Sequence, residues 1–294
     1  MNIAFWNIGK ALPPEKEQLL EKAIAFLNPE IFTIAEGTHS RENCQKVTDV
    51  FNRSGYDAYY TPIFNNRKDL NLGYRYKGTG LKVFVKRGTG FTFDTFGFED
   101  QKEQGRIITM KVRWNYKVAV IIFIHNQSKK GGRIATTEQI LFINSLSDMI
   151  QYAIKPTVKE SLTDTAKDRV FIMGDFNLEP WDEPLRNQKL LMTSYFKNRN
   201  LLDRRKDDNL YFFNPLVELM HTTTNPNLLG TFFGSSSGWA LFDYILYPTA
   251  NATVKFNVIT EFGPGHKLLD DNLELVDDFL HYELDHLPIM AAID

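Results

Sequence analysis

The sequence predicts an α/β (α+β) chain made of two packed β-sheets with helices outside. Three observations predict it. Long strand-only runs alternate with single helices, which is neither the doubly wound nor the barrel pattern. No repeat, low-complexity tract or Gly/Ser linker divides the chain, so residues 1–294 read as a single domain. Hydrophobic residues at 43% and aromatics at 13% supply a sizeable core.

The elements follow in order. Residues 3–6 form a short apolar run and read as a strand. Residues 14–27 read as an amphipathic helix, with Leu19, Leu20, Ala23 and Leu27 at helical spacing and Pro29 as its stop. Residues 31–35 form a buried strand leading to Glu36, and a helix over 41–51 follows. Residues 80–86, 91–97, 107–114 and 117–125 are successive strands with turn signals between them. A long helix over 133–152 lines up Ile140, Ile143, Leu146 and Ile150 on one face. Strands over 170–173, 241–247, 253–260 and 287–293 complete the set. Before the last of these, Leu269, Leu273, Val276 and Leu280 predict a helix over 267–280 with an acidic opposite face.

Composition narrows the function classes. The single cysteine, Cys44, excludes an internal disulfide framework. The first residues carry no basic, apolar or cleavage region of a signal peptide, and no stretch is apolar enough to span a bilayer. A cytoplasmic protein is the expectation. From Glu261 onward nine acidic residues face one lysine, which leaves 33 basic against 27 acidic residues in the body. Arg67, Lys68, Arg75 and Lys77 interleave with Tyr74 and Tyr76, and smaller basic clusters lie at Lys129, Lys130 and Arg133 and across 197–206. Cations mixed with aromatics suit a surface that tracks a phosphate backbone and stacks bases; a solvated loop is an equally good reading.

The most informative stretch is Gly174-Asp175-Phe176-Asn177, directly behind the apolar run at 170–173. Residues two apart at a strand end point to one side. An Asp there can hold a metal or orient water, and an Asn can donate to a phosphate oxygen. Other strand ends carry matching groups: Asn7 after 3–6, Glu36 after 31–35, His125 with Asn126 after 118–124, and Asp285-His286 before 287–293. Asp243 lies inside an otherwise apolar strand, where a carboxylate needs a hydrogen-bond partner; a histidine is the economical one. Arg106 reads equally as a phosphate ligand or a strand-edge arginine. Cys44 lacks a paired base, and His39, His221, His266 and His281 have no ligating spacing.

These motifs resemble the endonuclease/exonuclease/phosphatase superfamily. The matching stretches are FWNI at 5–8, PEIFTIAE at 29–36, HNQSKKGGR at 125–133, GDFN at 174–177, DYIL at 243–246 and DHLPI at 285–289. Their order is the family's and they span nearly the whole chain. Two departures stand out: Leu284 where Ser usually precedes Asp-His, and Ala35 where Gln usually precedes the Glu. Neither removes a catalytic group. The resemblance implies a four-layered sandwich of two packed mixed sheets flanked by helices. It implies Glu36 as principal ligand of Mg2+ or Mn2+, helped by Asn7 and Asp285. It makes Asp175 the residue that orients or deprotonates the attacking water and Asn177 a phosphate ligand. His286, oriented by Asp243, would meet developing charge, and His125 would contact phosphate.

Among the family's substrates, the inositol 5-phosphatase branch fits poorly, because no arginine follows Asp243. The sphingomyelinase branch shares the His125–Arg133 pattern, but those enzymes are typically exported or membrane-attached. A basic body with the 65–80 loop favours nucleic acid, DNA before RNA, with Asn126, Arg106, Arg67, Lys68, Arg75 and Lys77 as candidate substrate contacts. Hydrolysis of a small phosphoester or lipid headgroup is the second expectation, and an idle binding module of the same fold the third. The intact polar set argues against the third.

Overall fold

The computed structural model describes residues 1–10, 12–37, 41–60, 80–94, 106–114, 117–128, 135–154, 169–187, 192–194, 211–220, 228–234, 238–248, 253–276 and 284–294. Arg67, Lys68, Arg75, Lys77, the other basic clusters, and His39, His221 and His281 lie outside the described residues.

Two mixed sheets form the frame. The first runs β14(Val254–Val258)-β15(Ile289–Ile293)-β1(Asn2–Asn7)-β2(Ile31–Ala35)-β4(Leu81–Lys86)-β3(Tyr56–Tyr60), with β1 and β2 parallel. The second runs β5(Thr92–Asp94)-β6(Ile107–Trp114)-β7(Lys117–His125)-β8(Val170–Asp175)-β13(Asp243–Pro248)-β10(Tyr211–Phe213)-β9(Met192–Ser194), with β7 and β8 parallel. A two-stranded ribbon, β11(Phe232–Gly234) with β12(Gly238–Ala240), stands apart. Strand β1 meets β8, β15 meets β13 and β4 meets β7, so the sheets pack face to face.

The helices explain themselves locally. Helix α1(Pro14–Leu27) starts on Pro14, whose missing N–H costs nothing there, and carries Glu15 and Glu17 in its first turn. It ends where Asn28 adopts φ 43° and its N–H bonds the Ile24 carbonyl. Helix α2(Arg41–Arg53) lays Phe51 flat on Phe84 at 3.8 Å between ring centres and edge-on to Phe32 at 5.3 Å, so it covers the first sheet. The fully buried Lys82 on β4 reaches the same helix through the Cys44 carbonyl and the Thr48 hydroxyl, and burial lowers its pKa. Helix α3(Thr137–Ile154) begins later than the periodicity predicts, because Thr136 and Gln139 exchange side-chain-to-backbone hydrogen bonds at 3.2 and 3.0 Å and set its start. Short helices α4(Glu183–Arg186) and α5(Pro215–Met220) complete the described set.

The helix expected over 267–280 is not formed over 267–276. That segment is a loop with isolated bridges from Leu269 to Leu275 and from Glu261 to Lys267. Asp270 Oδ1 accepts the N–H groups of Asn272 and Glu274 at 2.8 and 2.9 Å, and Leu273 sits at φ 64°. Side-chain capture of local N–H groups competes with the helical ladder and wins here. Leu268, Leu269 and Leu275 are buried all the same, so of the expected helix face Leu269 is buried while Leu273 and Val276 are half-buried.

Candidate active site

Register builds the site. Asp175 ends β8 with His125 as its parallel partner on β7 and Asp243 as its antiparallel partner on β13. Three polar residues thus share one cross-strand row and one face. Across the gap, Asn7 ends β1 beside Ala35 of β2, and Glu36 follows at once. The chain turns sharply at Glu36, φ 59°, and Gly37, φ 60°; a side chain on Gly37 would come within 2.5 Å of Ile8. A left-handed Glu is costly backbone of the kind that collects at functional sites. Gly174 is required by space, since a Cβ would lie 2.0 Å from the Ile124 carbonyl oxygen on β7.

The side chains converge. Asp175 Oδ2 accepts from Asn7 Nδ2 at 3.1 Å and Asn177 Nδ2 at 3.0 Å, and its Oδ1 accepts the Asn177 N–H at 2.8 Å. His125 Nε2 lies 3.6 Å from Glu36 and 3.7 Å from Asp175. His286 Nδ1 meets Asp243 Oδ2 at 2.8 Å, while its Nε2 stands 3.8 Å from both Asp175 and Asp285 and 3.4 Å from Asn7 Nδ2. Asn7, Glu36, His125, Asp175, Asn177, Asp243, Asp285 and His286 therefore meet in one place. The Trp6 indole N–H bonds the His286 carbonyl at 2.9 Å and holds the histidine backbone against β1.

Burial sorts the carboxylates. Asp175 and Asp243 are fully buried, whereas the side chains of Glu36 and Asp285 are 16% and 46% exposed. Burial pushes the Asp175 carboxyl up to about 7 against the opposing pull of His286. Burial likewise raises Asp243, opposed by His286 and the Thr231 hydroxyl. Burial alone would lower His286, but Asp243 and then Asp175 outweigh it and lift the imidazole to about 10. Asp243 Oδ1 is buried without a hydrogen-bond partner.

Some expected contacts look different in detail. Both amide hydrogens of Asn177 are engaged, one on Asp175 and one on the Asn126 carbonyl at 3.0 Å, and its backbone is left-handed at φ 48°. It orients Asp175, and reaches a phosphate only by releasing one of these bonds. The Arg106 guanidinium donates to the His125 carbonyl at 2.9 Å, which clamps that strand end. Asn126 is fully buried; its Oδ1 accepts the Gln127 N–H at 2.7 Å and its Nδ2 has no partner. Sequence reasoning missed Gln139, whose Nε2 ties α3 to the Gln127 and Asn177 carbonyls at 2.8 Å each. The Thr136-x-x-Gln139 capping box was its legible signal. It missed Thr231 as well, which no motif announces.

Among the described residues, one cluster of ligating side chains is close enough to hold a cation. Asp175, Asp243 and His286 bring ligand atoms within 4.8 Å of one another. There, however, His286 Nδ1 and Asp243 are already spent on each other. Glu36 and Asp285 are the more exposed carboxylates, and carboxylate oxygens are the donors a hard divalent ion prefers; Asn7 Oδ1 already accepts the Gly9 N–H at 3.1 Å.

No protein-family model matches the sequence, and the comparison with curated proteins gives no significant match. Solved structures do match. D. rerio TDP2 complexed with a single-strand DNA product aligns over 100% of this chain and 98% of its own, at 12% identity and TM-score 0.58. The human Nocturnin catalytic domain with bound sulfate aligns over 100% and 94%, at 16% identity and TM-score 0.55. A mannosyl-6-phosphatase of Bacteroides thetaiotaomicron aligns over 100% and 99%, at 11% identity and TM-score 0.56. A further B. thetaiotaomicron structure, an endonuclease/exonuclease/phosphatase family protein, aligns over 100% and 97%, at 11% identity and TM-score 0.54. With its two mixed sheets packed face to face, the chain has the endonuclease/exonuclease/phosphatase fold.

Proposed function

We propose that the chain is a metal-dependent phosphodiesterase whose substrate is nucleic acid, DNA before RNA. The observation that carries this reading is the row His125–Asp175–Asp243, joined to His286 and facing Glu36 across the sheet gap. Glu36, Asp285 and Asn7 are the proposed holders of Mg2+ or Mn2+. When bound, the ion supplies Lewis-acid polarisation of the phosphoryl group and neutralises charge.

The chain's own residues do the rest. Asp175, with its carboxyl raised toward neutrality by burial, is a base matched to a water nucleophile. Asn7 and Asn177 fix that carboxylate from two sides. His286, kept protonated by Asp243, presents an Nε2–H to the phosphoryl oxygens as negative charge grows. His125, pinned by Arg106, adds a second imidazole beside Glu36 and Asp175.

The likeness to a TDP2 structure holding a DNA product supports the nucleic-acid reading. The match to a mannosyl-6-phosphatase supports a second one, hydrolysis of a small phosphorylated molecule by the same residues. A panel of single- and double-stranded DNA, RNA, a small diester and a sugar monophosphate, with Mg2+ or Mn2+ and with EDTA, separates them. Cleavage of DNA abolished by EDTA supports the first reading. Turnover of the sugar monophosphate alone supports the second, and no turnover of any ester contradicts both.

A further inference from the structure

We propose that the four residues 230–233 form a strap that positions the Asp243–His286 pair, with the Thr231 hydroxyl as its fixing point. The catalytic importance of that pair rests on the phosphoesterase reading above; the strap itself rests on geometry alone.

Asp243 and His286 are 43 positions apart, the first opening β13 of one sheet and the second lying just before β15 of the other, yet they must hold a 2.8 Å hydrogen bond. One short segment touches both sides of that bond. Thr231 is fully buried, and its Oγ1 accepts the N–H groups of Phe242 and Asp243 at 3.0 and 2.9 Å. Asp243 opens β13, so its N–H has to be satisfied from outside the ladder; the Thr231 hydroxyl does this. The Thr231 carbonyl accepts the Leu287 N–H at 2.8 Å, and Phe233 N–H donates to the Asp285 carbonyl at 2.8 Å, which brackets His286 in the backbone on either side. Between them the Phe232 ring lies against the His286 imidazole, 4.8 Å between centres, and stacks on Phe242 at 5.1 Å. The strap is anchored in turn: Thr231 N–H bonds the Ala240 carbonyl at 2.9 Å, and a Cβ on Gly230 would come within 2.7 Å of that oxygen.

A hydroxyl that accepts two amide hydrogens cannot be replaced by a methyl group of the same shape without orphaning both. Thr231→Val therefore keeps the volume and loses the fixing point, while Thr231→Ser keeps the oxygen. A strap that only adds stability would shift the melting temperature and the fraction of active protein. A positioning strap also moves the chemical step and the His286–Asp243 bond itself. The readouts are kcat and KM on a small diester, and the downfield NMR resonance of the His286 Nδ1 proton, assigned by its loss in His286→Gln.

In Thr231→Val, kcat is expected to fall on the order of tenfold to a hundredfold with KM little changed. The downfield proton broadens through exchange, and Thr231→Ser restores both. If Thr231→Val does not fold, Phe232→Leu, at a half-buried position, is expected to show the same kcat loss and broadening. Wild-type kcat with an unaltered downfield proton in the variant that folds overturns the proposal, as does a Thr231→Ser protein no better than Thr231→Val. The NMR arm needs no turnover. An inactive protein whose downfield proton still depends on Thr231 thus refutes the phosphoesterase reading and keeps the strap.

Discussion

Asp175 concentrates the account at the scale of single residues. It has no exposed surface, yet its carboxylate accepts three hydrogen bonds and faces two imidazoles within 3.8 Å. Burying a carboxylate without such partners costs several kcal/mol, so the surrounding amides exist to keep this one serviceable. Asp175→Asn preserves shape and removes the base, and kcat should fall on the order of a hundredfold or more while the fold survives. His286→Ala should lose as much, because it removes the Nε2–H donor proposed to meet the growing negative charge. Circular dichroism alongside initial rates checks both; turnover within a few-fold of wild type in either variant would remove that residue from the chemistry. Asn177 teaches a related point. Its identity was readable from the sequence, but its role as an orienting group depends on φ 48° and on two partners that no spacing encodes.

Elements carry the site by where they stop. Strands β1, β2, β7 and β8 were legible because each is an apolar run closed by one polar residue, and their observed ends match the reading closely. Less legible were β9, β10, β11 and β12, each three residues long, too short for period-two alternation to register. The acidic segment misled for the opposite reason: its leucines are spaced like a helix face, but Asp270 captures two local N–H groups and breaks the ladder. The junction of β7 and β8 makes the sharpest prediction at this scale. Gly174→Ala places a methyl group 2.0 Å from the Ile124 carbonyl oxygen and must push the two strands apart. It should cost about 3 kcal/mol or more in unfolding free energy and take activity with it. An unfolding midpoint equal to wild type in urea would show that the strands yield without cost.

For the molecule as a whole, charge is the variable that sequence and structure describe together. The body is mildly basic and the stretch from Glu261 strongly acidic. Part of that acidic stretch leans on the ribbon beside the site, where the Trp239 indole N–H bonds the Leu273 carbonyl at 3.1 Å and Phe233 bonds Asp285. A polyanion approaching the site therefore needs cations elsewhere. Neutralising Arg67, Lys68, Arg75 and Lys77 together should raise KM for DNA and flatten its salt dependence, with a small diester cleaved as before. Equal changes on both substrates would make that loop structural. The central claim remains the metal-dependent centre at the strand ends, and its most direct test is metal titration of wild type against Glu36→Ala. After EDTA treatment, cleavage of a small diester by the wild type should return on adding Mg2+ or Mn2+ and saturate. In Glu36→Ala, much higher metal should be needed and the maximal rate should stay about a hundredfold lower. Full wild-type turnover of Glu36→Ala at the same metal concentration, or undiminished cleavage by the wild type in EDTA, would contradict the account.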